Sequence, residues 1–276
     1  VSTLNTIDVP TAINATATTA TTTPTSTPAA GVPTMVAFDL YKDIHKAIRA
    51  ELFAVTAEAG RLDANSPSAR LGYGQRVRAL VSLLVSHAEH EDGTIQAEIE
   101  RLLPVYAPEI AGAHVALETQ MEALLALVDL MIAAPAPARA TATAAAARAA
   151  VHALYLDLAA FTATYLQHQD VEERFVMRML DAALSVPELL VLHERILASV
   201  KPDVMVVCLQ LMLPSMNIDD RTEMLAGMAA GAPVEVFAGV CGLAQSVLPP
   251  SDWQQLADRL VRSGVALDGA AFGVGA

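Results

Sequence analysis

The chain has 276 residues, enough for one large domain or two modest ones with a core that needs no staples. Its 17 basic and 30 acidic residues leave a net charge of −13, which argues against nucleic-acid binding, where clustered Lys and Arg supply the affinity, and against a polybasic membrane anchor. Hydrophobic residues make up 54% and aromatics only 4%, so the apolar mass is largely Ala, Leu and Val and an all-α protein is expected.

Residues 1 to 34 are rich in Thr, Ala and Pro, with Asp8 the only charge, and read as a disordered tail whose apolar content is too low to offset ordering entropy. The first basic residue is Lys42, so no secretory or mitochondrial leader is expected, and the Asn14-Ala15-Thr16 sequon is expected to be idle. From Phe38 onward the apolar spacing is helical. The first segment, about 39 to 62, places Leu40, Ile44, Ile48, Leu52 and Val55 at three- and four-residue steps and ends near Gly60. The second, about 74 to 103, opens after a Gly72-Tyr73-Gly74 turn and closes at Pro104. The third, about 107 to 133, holds Ile110, Leu117, Met121, Leu124, Leu125 and Val128. An Ala, Pro and Thr connection from 133 to 148 leads into the fourth, which continues to about 184. Four long amphipathic helices with short connections predict an up-down-up-down four-helix bundle over 35 to 185.

Residues 186 to 276 read as an additional C-terminal helical region. Ser185 with Glu188, and Ser251 with Gln254, have capping-box spacing, and further helices are expected after Asn217 and from Val234. Cys208 and Cys241 lie in apolar surroundings and read as buried free thiols of a reducing compartment. No uninterrupted apolar run approaches the roughly 18 residues of a spanning helix, so a soluble, cytoplasmic protein is expected.

Three of the seven histidines have a glutamate four residues later: His87 and Glu91, His114 and Glu118, His168 and Glu172. One helix turn presents both groups of such a pair to one point. Solvated i,i+4 contacts are the plain alternative, against which stands the placement of each pair on a different apolar helix, with His45 on a fourth. Imidazole nitrogen plus carboxylate oxygen suits iron, manganese or zinc. Thiolate zinc is excluded by the lack of paired cysteines, and the metalloprotease pattern fails because Thr94 stands where a second histidine is needed after His90-Glu91. No Glu-x-x-His pair occurs, so the ferritin-like carboxylate pattern is not matched. His90 is expected exposed, His152 about 160° round the helix from His168 and turned away, and His193 at the surface or satisfied. Tyr41 and Tyr165, one turn before His45 and His168, read as pocket lining or core.

The ordered series of His45, His87-x-x-x-Glu91, His114 and His168-x-x-x-Glu172, with the opening Tyr41-Lys42-Asp43-Ile44-His45, resembles the hemerythrin (HHE cation-binding) family over about 38 to 183. The resemblance implies a non-haem di-iron centre held by His45, His87, Glu91, His114, His168 and Glu172, with Glu91 and Glu172 bridging and an oxo or hydroxo bridge between the two iron ions. Two departures argue against reversible oxygen carriage: Glu118 replaces the second helix-three histidine of annelid-type members, and the last pair is His and Glu spaced by four where they have His and Asp spaced by five. With Glu118 counted as a ligand, one iron position stays open and the shell is more anionic. The expected function is then binding and turnover of a small oxidant, namely peroxide, dioxygen or nitric oxide. The alternatives are binding or sensing of oxygen, nitric oxide or iron without turnover, with 186 to 270 passing the signal, and a structural helical protein with a vestigial site.

Overall fold

The computed structural model describes residues 36–135 and 141–267. The expected disorder of 1 to 34 and part of the Ala, Pro and Thr connection lie outside the described residues. All regular structure is helical, with no strand among the described residues. The first part of the chain forms α1 (Lys42–Ala59), α2 (Pro67–Thr94), α3 (Gln96–Leu102), α4 (Ala107–Ala133) and α5 (Thr141–Val171), which runs through a π turn (Glu172–Val176) into α6 (Met177–Ala183).

The expected turn at Gly72-Tyr73-Gly74 is instead helix interior. The start signal lies earlier: Ser66 caps α2 by accepting the Ala69 N–H at 3.3 Å, and Pro67 occupies the first helical position, where its missing donor costs nothing. Gly74 serves packing. A Cβ there would lie 2.7 Å from Ile132 Cδ1 and 3.1 Å from Val128 Cγ1, so the missing side chain lets α2 approach α4. Gly74→Ala should be near neutral, because the Ile132 methyl can rotate away and Ala regains about 1 kcal/mol of helix propensity. Gly74→Val should instead cost about 1–3 kcal/mol by overpacking, read as a lower melting temperature. The break at Ile95, between α2 and α3, also interrupts the single segment expected from 74 to 103.

Helices α1, α2, α4 and α5 share one core in which Leu52, Leu84, Val128 and Leu154 are essentially inaccessible. Their contacts pair Thr56 with Thr162 (3.0 Å), the Tyr73 hydroxyl with the Val55 carbonyl (2.9 Å), Arg76 with Glu51 (2.8 Å) and Arg78 with Asp129. The buried guanidinium of Arg70 donates to the carbonyls of Ala64 and Ala134, tying the α1–α2 connection to the end of α4. A second cluster, including Tyr41, Ile95, Ile110, Val176 and Leu180, forms the next layer beyond His45, Glu91, His114 and Glu172.

The C-terminal region contains α7 (Val186–Ser199), α8 (Pro202–Ser215), α9 (Ile218–Gly231), α10 (Val234–Val247) and α11 (Pro250–Arg262). Their first residues are 16 apart throughout. Leu209, Leu225, Cys241 and Ala257 recur at that interval, all buried, and each helix has an acidic residue in its first turn, where the helix dipole favours it. This regularity was missed in the sequence, although it is legible there as an internal repeat. Helix α8 packs on α10 and α9 on α11, the alternation of a stacked array. The array meets the first core where α8 lies along α1, with Cys208 and Leu211 packed against that core. Lys42 of α1 pairs with Asp220 (3.2 Å) and Glu223 (2.8 Å) of α9, and Lys46 also reaches Asp220.

The Ser185–Glu188 box is formed: the Glu188 carboxylate accepts the Ser185 N–H at 2.8 Å and its hydroxyl at 2.7 Å. Asn217 caps α9. The second expected box is not formed, because α11 already begins at Pro250; Ser251 bonds Asp252 and Gln254 bonds Asp258. Both cysteines are free, and burial pushes both thiols up. By length and composition one described helix, 144–183, is apolar enough to cross a membrane. Counting uninterrupted runs missed it because scattered polar residues break the run while the mean hydropathy stays high. This helix packs on α1 and α4.

Candidate metal centre

Inward residues on the four long helices follow alternating steps of three and four, and the centre is built where that seam turns polar. On α5 the seam runs Leu158, Phe161, Tyr165, His168, Glu172, and on α2 it runs Leu80, Leu84, His87, Glu91. In both, the histidine precedes a four-residue step, so the glutamate four positions on also faces inward. On α4 the seam runs Ile110, His114, Leu117, Met121. There the step after the histidine is three, so Leu117 takes the inward place and Glu118 is exposed. The structure therefore brings together His45, His87, Glu91, His114, His168 and Glu172 and leaves Glu118 outside.

Within the cluster, His45 Nε2 lies 3.1 Å from His87 Nε2, and His114 Nε2 lies 3.1 Å from His168 Nε2. Glu91 places Oε1 3.1 Å from His87 and 3.9 Å from His45, and Oε2 3.5 Å from His114. Glu172 places Oε1 3.0 Å from His168 and 3.5 Å from His114, and Oε2 3.5 Å from His45. Each carboxylate thus has one oxygen toward each histidine pair. Two donor sets result, Glu91, His114, His168 and Glu172 in one and His45, His87 and Glu91 in the other, each with its ligand atoms within 4.8 Å of one another.

These residues fit metal ions. Donors about 2.1 Å from one ion at right angles would lie about 3.0 Å apart, the spacing of the two Nε2 pairs. Both Glu91 oxygens and Glu172 Oε2 are buried without a hydrogen-bond partner, which is costly unless a cation meets them. Without a cation the cluster holds protons in its place. Burial pushes Glu91 up to about 8, helped by the Glu172 charge. For His45, burial works downward but the Glu173 and Glu91 carboxylates outweigh it and raise it to about 9, while burial and the charge on His45 push His87 down to about 3. Burial likewise works against His114, but Glu172 and its other carboxylate neighbours raise it to about 9.

Two further carboxylates were missed in the sequence. His45 Nδ1 donates to Glu173 at 3.0 Å, and His114 Nδ1 donates to Asp92 at 2.7 Å, which fixes both rings with Nε2 toward the centre. The signal was present: each glutamate of the cluster is followed directly by a second acid, Glu91-Asp92 and Glu172-Glu173. On α5 the π turn begins at this pair, and its wider turn separates consecutive side chains by less than the ordinary 100° or so, so that Glu172 faces the cluster while Glu173 reaches His45. The Glu173 carboxylate also accepts from Arg49 at 2.8 Å.

Tyr41 and Tyr165 are buried beside His45 and His168, with ring centroids 5.2 and 5.9 Å away; burial first, and then the Glu91 charge, raise both phenols, keeping them as neutral O–H groups. Gln169, next to His168, is fully buried with neither amide atom hydrogen-bonded. The remaining histidines stand apart: His90 bonds the Ser86 carbonyl, His152 is exposed and stacks on Tyr155, and His193 meets the edge of Phe38. The chain matches no protein-family model, no curated protein and no solved structure.

Proposed function

We propose that the cluster holds two iron ions within a hemerythrin-like, up-down-up-down bundle of α1, α2, α4 and α5, and that the centre binds and reacts with a small oxidant. The observation that carries this reading is the pair of carboxylates, Glu91 and Glu172, each with one oxygen toward each histidine pair. His45 and His87 would hold one ion, His114 and His168 the other. Bound iron would supply redox chemistry and open coordination for dioxygen, peroxide or nitric oxide. The chain itself fixes the rings of His45 and His114 through Glu173 and Asp92, offers the neutral phenols of Tyr41 and Tyr165 as hydrogen-bond donors, and shields the cluster with the apolar layer around Ile110 and Val176.

With Glu118 outside, the shell loses the third carboxylate on which the argument for turnover rested, and a further position opens. Asp92 and Glu173 restore anionic character by another route, acting through the imidazoles. Sensing without turnover is the second reading, favoured by the docking of α8 along α1 and by Lys42 and Lys46, which flank His45 and pair with α9. In either case 186–276 acts as an extension to the bundle of 35–185, in a cytoplasmic protein that acts on a small molecule and not on nucleic acid.

The test is metal content and reactivity. Chain reconstituted with ferrous iron should carry about two ions, develop the absorption of a coupled ferric pair in air, and turn over peroxide by disproportionation to water and dioxygen, or nitric oxide when an external electron donor is supplied. Stoichiometric binding without turnover would favour sensing. Failure to retain iron, manganese or zinc would remove both readings.

A further inference from the structure

We propose that the two metal positions are unequal and fill in order, the Glu91, His114, His168 and Glu172 position first and the His45, His87 and Glu91 position second, with Arg49 and Glu173 setting how tightly the second holds. The inference rests on the dinuclear reading above. Donor number comes first. Four protein groups meet mutually within 4.8 Å at the first position and three at the second; Glu91 belongs to both sets, whereas Glu172 belongs only to the first. An ion meeting four preorganised donors forms one more metal–ligand bond and releases one more water than an ion meeting three.

What stands behind the histidines differs in the same direction. Asp92 accepts from His114 Nδ1 at 2.7 Å, and no Lys or Arg pairs with it among the described residues. Its charge is available to the imidazole, which becomes a better donor. Glu173 accepts from His45 Nδ1 at 3.0 Å through an oxygen that also accepts from Arg49 at 2.8 Å, so the guanidinium draws off part of the charge that would otherwise strengthen His45. Solvent screens Asp92 more than Glu173, with side chains 49% and 25% exposed. The donor count therefore carries the order, and the carboxylates set the gap between the two steps. Arg49, Glu173 and Asp92 are positioning residues, acting on the ions only through His45 and His114.

The test is a stepwise cobalt(II) titration of the metal-free full chain, followed by visible absorption and by elemental analysis. Two steps at least tenfold apart in affinity are expected. Glu173→Gln keeps an acceptor for His45 but removes the charge, and should weaken the second step about 10–100-fold while leaving the first unchanged. Asp92→Asn should weaken the first. Arg49→Met is the decisive variant: it leaves the Glu173 charge undamped and should tighten the second step several-fold, whereas a merely structural ion pair predicts loosening. A single step for both ions, a loosened second step in Arg49→Met, or a Glu173→Gln effect on the first step would each overturn the inference. Two ions taken up in one step would leave the dinuclear reading standing, whereas no cobalt uptake would remove both.

Discussion

Glu91→Ala should empty both metal positions, reducing iron from about two ions per chain to less than one by elemental analysis. The expectation follows from its place in both donor sets, with one oxygen 3.1 Å from His87 and the other 3.5 Å from His114. His87→Ala should by contrast lose one ion, because His87 belongs to only one donor set. Glu118→Ala should leave iron content and spectrum unchanged, since the residue is exposed on α4. Retention of both ions by the Glu91→Ala protein would show that the carboxylate does not bridge, and loss of iron in Glu118→Ala would restore that residue to the ligand set.

Metal should also raise stability strongly, because the same groups that bind it are poorly solvated without it. One ion at a thousandfold excess over its Kd contributes about 4 kcal/mol. At about 2–4 °C per kcal/mol for a domain of this size, a single ion should raise Tm by roughly 8–16 °C in differential scanning calorimetry, against a chelator-treated control. Glu91→Gln with Glu172→Gln should abolish that increment, because both carboxylates that face the two histidine pairs are replaced. The metal-free wild type should also weaken as pH rises. Groups whose folded pKa is raised, such as Glu91 to about 8 and His45 and His114 to about 9, contribute stability that is full below their unfolded values and lost as pH climbs through the folded ones. The window runs from about pH 6.5 to 9, because below it the lowered His87 works in the opposite sense, and since metal binding displaces those protons, the metal increment should grow across it. A Tm that does not respond to metal at any pH in that window would mean the cluster is held by protons alone.

Much of the helical structure is legible from apolar spacing, since the third segment coincides with α4 and the first overlaps α1 within a few residues. The site residues were legible as His-x-x-x-Glu, but that spacing alone does not distinguish Glu118 from Glu91 and Glu172. The phase of the surrounding seam does: the inward residue after His114 is Leu117, three positions on, whereas His87 and His168 precede a four-residue step. Gly72-Tyr73-Gly74 misled because glycine marks both turns and close helix contacts, and only the position of Ile132 shows which applies. The acid pairs Glu91-Asp92 and Glu172-Glu173 stand in the sequence, but the role of Asp92 and Glu173 was hidden because each acts on a histidine of another helix, a relation that no local spacing carries. The sixteen-residue recurrence of Leu209, Leu225, Cys241 and Ala257 escaped because the individual residues differ, so that the repeat is legible only in the spacing of its apolar positions.

The π turn behaves like a single-residue insertion in α5, and its effect extends past Glu173. Up to Glu172 the buried positions follow the three-and-four rhythm, which in an unbroken helix would next turn Phe175 and Met179 inward. Instead Val176 and Leu180 are fully buried and Met179 is 40% exposed, so the reading frame of the inward face has slipped by one residue. Everything from Val176 to Ala183 packs in that shifted frame. Deleting Arg174, whose only ion-pair partner among the described residues is Asp170, should close the bulge and restore a continuous α-helix with Val176 and Leu180 still inward, because the deletion moves them to the third and seventh places after Glu172. Glu172 would keep its place while Glu173 lost its hold on His45. One residue of excess chain therefore lets Glu173 reach His45 without disturbing the buried face that Val176 and Leu180 form.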